Sequence, residues 1–102
     1  MLRPVEPYAV YIMGNAHGTT FYIGITGNLH QRIWQHKTGH YGGFTHKYNC
    51  HHLLYFETYT DVKQAIAREK NLKNWRRDWK INLVKQKNPE LRDLAAGWYA
   101  KN

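Results

Sequence analysis

A strand that hands over directly to a helix does most to limit what this chain can fold into. Phe21-Tyr22-Ile23-Gly24-Ile25 is a short β-branched and aromatic run, glycines at 24 and 27 punctuate it, and from Asn28 onward the pattern is helical. Asn28 can cap that helix, with Gln31 reaching back to it. With Leu29 as origin and about 100° per residue, Ile33 falls near 40°, His36 near 340° and Arg32 near 300°. An arginine and a histidine therefore lie beside the stripe that faces the core. Charged groups are rarely buried without a partner, and an anion suits that place better than another side chain.

The rest of the chain supplies the frame. Tyr8 to Met13 alternates as a strand, with Tyr8, Val10 and Ile12 on one face and Ala9, Tyr11 and Met13 on the other. Gly14 to Thr20 suits a hairpin loop into the strand Phe21–Ile25, which should place Tyr11 and Tyr22 near one another, with Gly24 leaving room for something to approach the backbone. The first helix is expected over Leu29–Lys37. A glycine-rich, basic and aromatic loop follows from Thr38 to Asn49, then a third strand over Leu53–Thr58. Asp61, with Gln64 as capping-box partner, should open a long helix whose apolar face is Val62, Ile66 and Leu72, with Ala65 at its edge. After the basic, aromatic junction Trp75–Lys80 comes another helical pattern. Asn88-Pro89 is expected to start a last short helix, Glu90–Ala96.

With 102 residues the chain is expected to be one domain, 1–102, with its motif-bearing core at about 8–85 and a C-terminal helical extension at 86–102. Fifteen Lys and Arg against seven Asp and Glu give a formal charge of +8, which points to a polyanionic partner and first of all to nucleic acid. The single cysteine, Cys50, excludes an internal disulfide and suits a cytoplasmic location. No stretch reads as a signal peptide or a membrane span. His46, Cys50, His51 and His52 do not have the spacing of a compact zinc site.

One acidic residue stands out. With Val62 as origin, Glu69 falls near 340° and Lys73 near 20°, close to the centre of an apolar stripe. Two readings are open: a buried salt bridge to Arg32 or Lys73, or a carboxylate ligand for a hard cation such as Mg²⁺.

These residues together resemble the GIY-YIG nuclease superfamily, in particular its small stand-alone bacterial branch, similar to the N-terminal domain of the excinuclease C subunit. Tyr22-Ile23-Gly24 matches the second strand motif, and Ala9-Val10-Tyr11 stands where the first belongs. Arg32 and His36 follow on the first helix, and Glu69 heads Glu69-Lys70-Asn71-Leu72-Lys73 on the later one. The resemblance implies an α+β fold with a three-stranded antiparallel sheet flanked by helices. It also implies a DNA endonuclease, structure-selective or weakly sequence-specific, acting in repair or recombination with one divalent ion, Mg²⁺ or Mn²⁺.

By that resemblance Tyr11 helps activate the attacking water, Tyr22 or His36 assists proton transfer and orientation, Arg32 stabilises the phosphate and Glu69 holds the metal. Gly24, His46, Tyr48 and Lys73 would contact nucleic acid, and Asn82 is a candidate for the polar residue some members add. The partner implied is DNA, with RNA also compatible, and a protein could assist targeting. With no appended recognition domain, contact with backbone phosphates rather than sequence reading is expected. The alternatives are a non-catalytic nucleic-acid-binding module of the same fold, and an interaction protein in which Arg32 and Glu69 form a buried ion pair.

Overall fold

The computed structural model describes residues 6–39 and 49–99. Among these, the elements in order are β1 (Tyr8–Gly14), β2 (Phe21–Thr26), α1 (Leu29–Thr38), β3 (His52–Tyr59), α2 (Val62–Lys73) and α3 (Arg77–Lys87). The strands form an antiparallel sheet in the order β2-β1-β3, so the first strand is central. This is the α+β arrangement the sequence led us to expect. The β1–β2 hairpin turns on Asn15, whose Oδ1 accepts from Thr19 N at 2.9 Å, and on Gly18 at φ 69°.

Both faces of the sheet are covered, and β1 is accordingly buried at every position after Tyr8. Val10 and Ile12 pack with Ile23, Leu54, Ala65, Leu72 and Val84, which is the side of α2 and α3. Tyr11 and Met13 pack with Ile33, Cys50, Leu53 and Ala95, which is the side of α1. A β-bulge in β3 makes this partition possible. Ile12 pairs with Tyr55 but Met13 pairs with Leu53, so Leu54 is the extra residue. The bulge lets Leu53 and Phe56, three apart in sequence, serve the same face.

The cap of α1 forms with one change of partner. Asn28 Oδ1 accepts from Gln31 N at 3.1 Å, but the Asn28 backbone N–H donates to Thr26 Oγ1 at 3.0 Å. Gln31 reaches back instead to Asn28 Nδ2, at 3.4 Å. Gly39, at φ 78°, ends the helix in the left-handed conformation.

The orientation of α2 differs from expectation. Val62 and Ile66 are 38% and 40% exposed, whereas Ala65 and Leu72 are fully buried. The helix is turned so that Ala65 rather than Val62 or Ile66 meets the sheet, which leaves Arg68 and Glu69 flanking the buried stripe. Arg68 explains the turn: Nε and Nη2 donate to the two oxygens of Glu57 on β3 at 2.9 and 2.8 Å. At the start of α2, Asp61 Oδ1 accepts from Lys63 N at 2.9 Å, so the cap bond goes to Lys63 rather than Gln64.

The last helix, expected over Glu90–Ala96, is replaced by turns. Asn88 aims its side chain inward instead of starting a new helix. Its Nδ2 donates to Leu54 O at 3.0 Å and to Arg92 O at 2.8 Å, and its Oδ1 accepts from Arg92 N at 3.0 Å. Leu91 is held at φ 55°, outside the helical region. The segment then lies along the outer edge of β3, where Leu94 N donates to Leu53 O at 2.8 Å and Leu53 N to Asp93 Oδ1 at 2.9 Å. Backbone groups of an otherwise open edge are thereby satisfied.

Candidate active site

Register alone brings the two tyrosines together. Tyr11 pairs with Gly24 and Met13 with Tyr22, so both tyrosines lie on the α1 face, one diagonal step apart. Their ring centroids are 6.4 Å apart. His36 reaches them from the last turn of α1, with its ring 5.5 Å from that of Tyr11 and 5.3 Å from that of Tyr22. Tyr11 Oη and His36 Nε2 are 2.8 Å apart, a buried hydrogen bond. Tyr11 and His36 are fully buried, while Tyr22 is half-buried. Tyr22 is therefore the outer member of the group and Tyr11 the inner one.

His36 is pushed down to about 4, first by burial and then by the positive charge of Arg32 and by His51. It is neutral at pH 7. In the neutral ring Nε2 accepts from the Tyr11 hydroxyl when the proton is on Nδ1 and donates to the Tyr11 oxygen when it is on Nε2, so either tautomer keeps the contact. The neutral imidazole thus serves to orient the Tyr11 hydroxyl. Arg32, one turn before His36 and partly exposed, brings its charge to the same place.

Gly24 has a different task from the one expected. A Cβ built there would lie 2.5 Å from Tyr11 Cζ, so the space the glycine leaves is filled by the tyrosine ring and not by a ligand. The missing side chain is what allows Tyr11 to lie flat across β2 and reach His36. Gly24→Ala is therefore expected to displace the ring, break the Tyr11–His36 bond and cost about 1–2 kcal/mol through overpacking. Urea unfolding of the variant beside the parent measures that cost.

Glu69 lies on α2, on the helix layer across the sheet from α1. Its side chain is 14% exposed, and its carboxylate meets Lys73 Nζ at 2.7 Å, one turn on. Of the ion-pair partners considered from sequence, Lys73 is the one found, and it is 51% exposed. Such a pair is weak and exchangeable. A single, mostly buried carboxylate fits a hard cation that takes its remaining ligands from water and phosphate oxygens. Among the described residues no three His, Cys, Asp or Glu side chains gather in a ligand cluster. His46 and Tyr48 lie outside the described residues. Asn82 is exposed on α3, in a cleft with Trp75, Trp79, Leu83 and Gln86.

The comparison with known families settles what this frame is. The family model described as the GIY-YIG catalytic domain matches residues 7–82, which span both tyrosines, Arg32, His36 and Glu69. The chain belongs to the GIY-YIG family. That family is one of nucleases. The UPF0213 proteins of Staphylococcus aureus strains Mu3 and COL are each 28% identical to it over 83 residues, covering 81% of this chain and 100% of theirs. No solved structure matches closely.

Two supports of this GIY-YIG site escaped sequence reasoning. Lys37, beside His36, forms an ion pair with Asp93 and donates to His51 O at 3.0 Å, tying the end of α1 to the segment along β3. Asp93 also accepts from Leu53 N and Ala95 N; burial opposes its charge, but these bonds and Lys37 hold the carboxyl below its usual range. The second support is Glu57. It accepts from Tyr55 at 2.5 Å and Tyr59 at 2.6 Å as well as from Arg68, and it fixes the rotation of α2 that carries Glu69. The spacing Tyr55, Glu57, Tyr59 on one strand face was the available signal. Fifty-six residues separate Lys37 from Asp93, and nothing local announces that pair.

Proposed function

We propose that the chain is a metal-dependent DNA endonuclease that hydrolyses phosphodiester bonds with structure selectivity or weak sequence specificity, in repair or recombination. The observation that carries this reading is the hydrogen bond between buried Tyr11 and neutral His36, with Tyr22 against the same imidazole, on a frame matched to a nuclease family.

Each side chain then has one task. The His36 contact fixes the Tyr11 hydroxyl, whose oxygen helps to orient the attacking water; as the new P–O bond forms and the bond to the leaving oxygen breaks, the proton that water loses passes by way of the outer tyrosine to solvent. Tyr22, the outer tyrosine, orients that water against the phosphate. Arg32 stabilises the negative charge that accumulates on the phosphoryl oxygens, and preorganised charge of this kind is often the largest catalytic contribution. Glu69, on the helix layer across the sheet from α1, would hold one Mg²⁺ or Mn²⁺ ion, which would supply Lewis-acid stabilisation to the leaving oxygen of a strand that reaches both layers. Lys73, released from its pair with Glu69, is a phosphate contact on that same α2 layer. The formal charge of +8 supports backbone binding without base reading.

Incubation of the purified protein with supercoiled, branched and flapped DNA, with Mg²⁺ and with chelator, tests the reading. A Glu69→Ala preparation serves as the contamination control. Metal-dependent cutting absent from the control is expected. Binding without any cutting would reject the nuclease in favour of the non-catalytic module.

A further inference from the structure

The junction between α2 and α3 holds an aromatic corner that the catalytic reading does not use. Trp75 and Trp79 meet edge to face, their centroids 5.9 Å apart and their planes at 85°. Trp79 is 49% exposed, a large apolar surface to leave in water. The two indoles, with Leu83 and the carboxamides of Asn82 and Gln86, line a cleft of about 220 Å³. Aromatic walls offer stacking, and each carboxamide presents both a donor and an acceptor. That combination suits the flat face and polar edge of an unpaired base.

The charge around the cleft selects the same occupant. Residues 68–87 hold eight Lys and Arg against two acids, six of the chain's eight net positive charges. Arg76 lies over the Trp79 ring at 5.4 Å. Its pair with Asp78, at 3.0 Å, leaves the two side chains 69% and 61% exposed, so the guanidinium can exchange carboxylate for phosphate at little cost. Arg77 is engaged elsewhere, with the carbonyls of Gly18 and Thr19.

We infer that the Trp75–Trp79 cleft is a subsite for one base of an unpaired DNA strand, whose adjoining phosphate is held by Arg76. This rests on the nuclease reading for its purpose, since it names unpaired DNA as the strand retained, but its test needs no cleavage.

The Glu69→Gln chain, which leaves the bound strand intact, is titrated against a labelled oligothymidine of about 12 nucleotides, within the span such sites cover. A duplex of equal length is titrated in parallel, both by fluorescence anisotropy. Adding Trp79→Ala should weaken oligothymidine binding at least fivefold, with duplex binding changed less than twofold. Trp79→Phe should recover most of the loss. Asn82→Ala, at an exposed position that packing does not require, should weaken the oligothymidine alone. Unchanged oligothymidine affinity in Trp79→Ala and Asn82→Ala, or equal losses on duplex, would overturn the inference and leave a protein-docking surface. Trp79-dependent strand binding by a wild-type protein that cuts nothing would uphold the subsite and remove the nuclease. Cutting with strand affinity indifferent to Trp79 would do the reverse.

Discussion

Arg32→Ala is expected to lower DNA cleavage by about 10²–10³-fold, the loss typical when one preorganised charge is removed from a site where negative charge develops. Folding should survive the change. Arg32 is partly exposed, its neighbour Ile33 carries the core contact of that turn, and the Asn28 cap of α1 is independent of it. A second readout separates this role from a structural one. Arg32 is the second cause, after burial, of the depressed His36 value, so in Arg32→Ala the His36 titration should move up from about 4 toward its ordinary value. NMR of the imidazole protons against pH reads that shift directly. A cleavage loss with no movement of His36 would place Arg32 away from the tyrosine–histidine group.

The protein is also expected to lose stability in mild acid, largely through one side chain. In the unfolded chain His36 takes up a proton near 6.5, while in the fold it does so only at about 4. Between those values the unfolded state binds more protons, so stability falls as the pH drops from about 6.5 to about 4 and is fully retained above that window. The gap corresponds to roughly 3 kcal/mol. Glu57 and Asp93, both held below their usual range despite burial, add further losses as the pH falls below the ordinary value of each and their ion pairs are protonated. His36→Gln keeps a hydrogen-bond partner for Tyr11 but no titrating ring. Urea midpoints at pH 7, 5.5 and 4.5 should therefore fall less steeply in His36→Gln than in the parent. Parallel curves would contradict a buried, neutral His36.

How far the sequence could be read follows from the range of the interactions involved. The strand–glycine–helix stretch is governed by neighbouring residues, and its strands, the Asn28 cap and the approach of Tyr11 to Tyr22 all come from alternation and register. The rotation of α2 was not legible, because Val62 and Ile66 are more hydrophobic than Ala65, while the face that meets the sheet is the one that buries Ala65 and Leu72 and brings Arg68 to Glu57 on β3. The same distance problem affects Asn88. Read locally, Asn-Pro opens a helix, yet its carboxamide is committed to the Leu54 carbonyl on β3. Gly24 was expected to leave room for something to approach the backbone, and the ring of Tyr11 lies in that room. Proximity of Tyr11, Tyr22 and His36 could thus be anticipated, while the neutral state of His36 needed the burial and charges around it.

The most direct test of the account is nicking of supercoiled DNA in Mg²⁺ by the wild-type protein and by Tyr11→Phe side by side, with melting curves for both. That substitution removes one buried oxygen and its bond to His36 while keeping the ring that fills the space over Gly24. The account predicts Mg²⁺-dependent nicking by the wild type, a loss of at least about 10²-fold in Tyr11→Phe, and melting that shows both proteins folded. Equal nicking by the two folded proteins would contradict it.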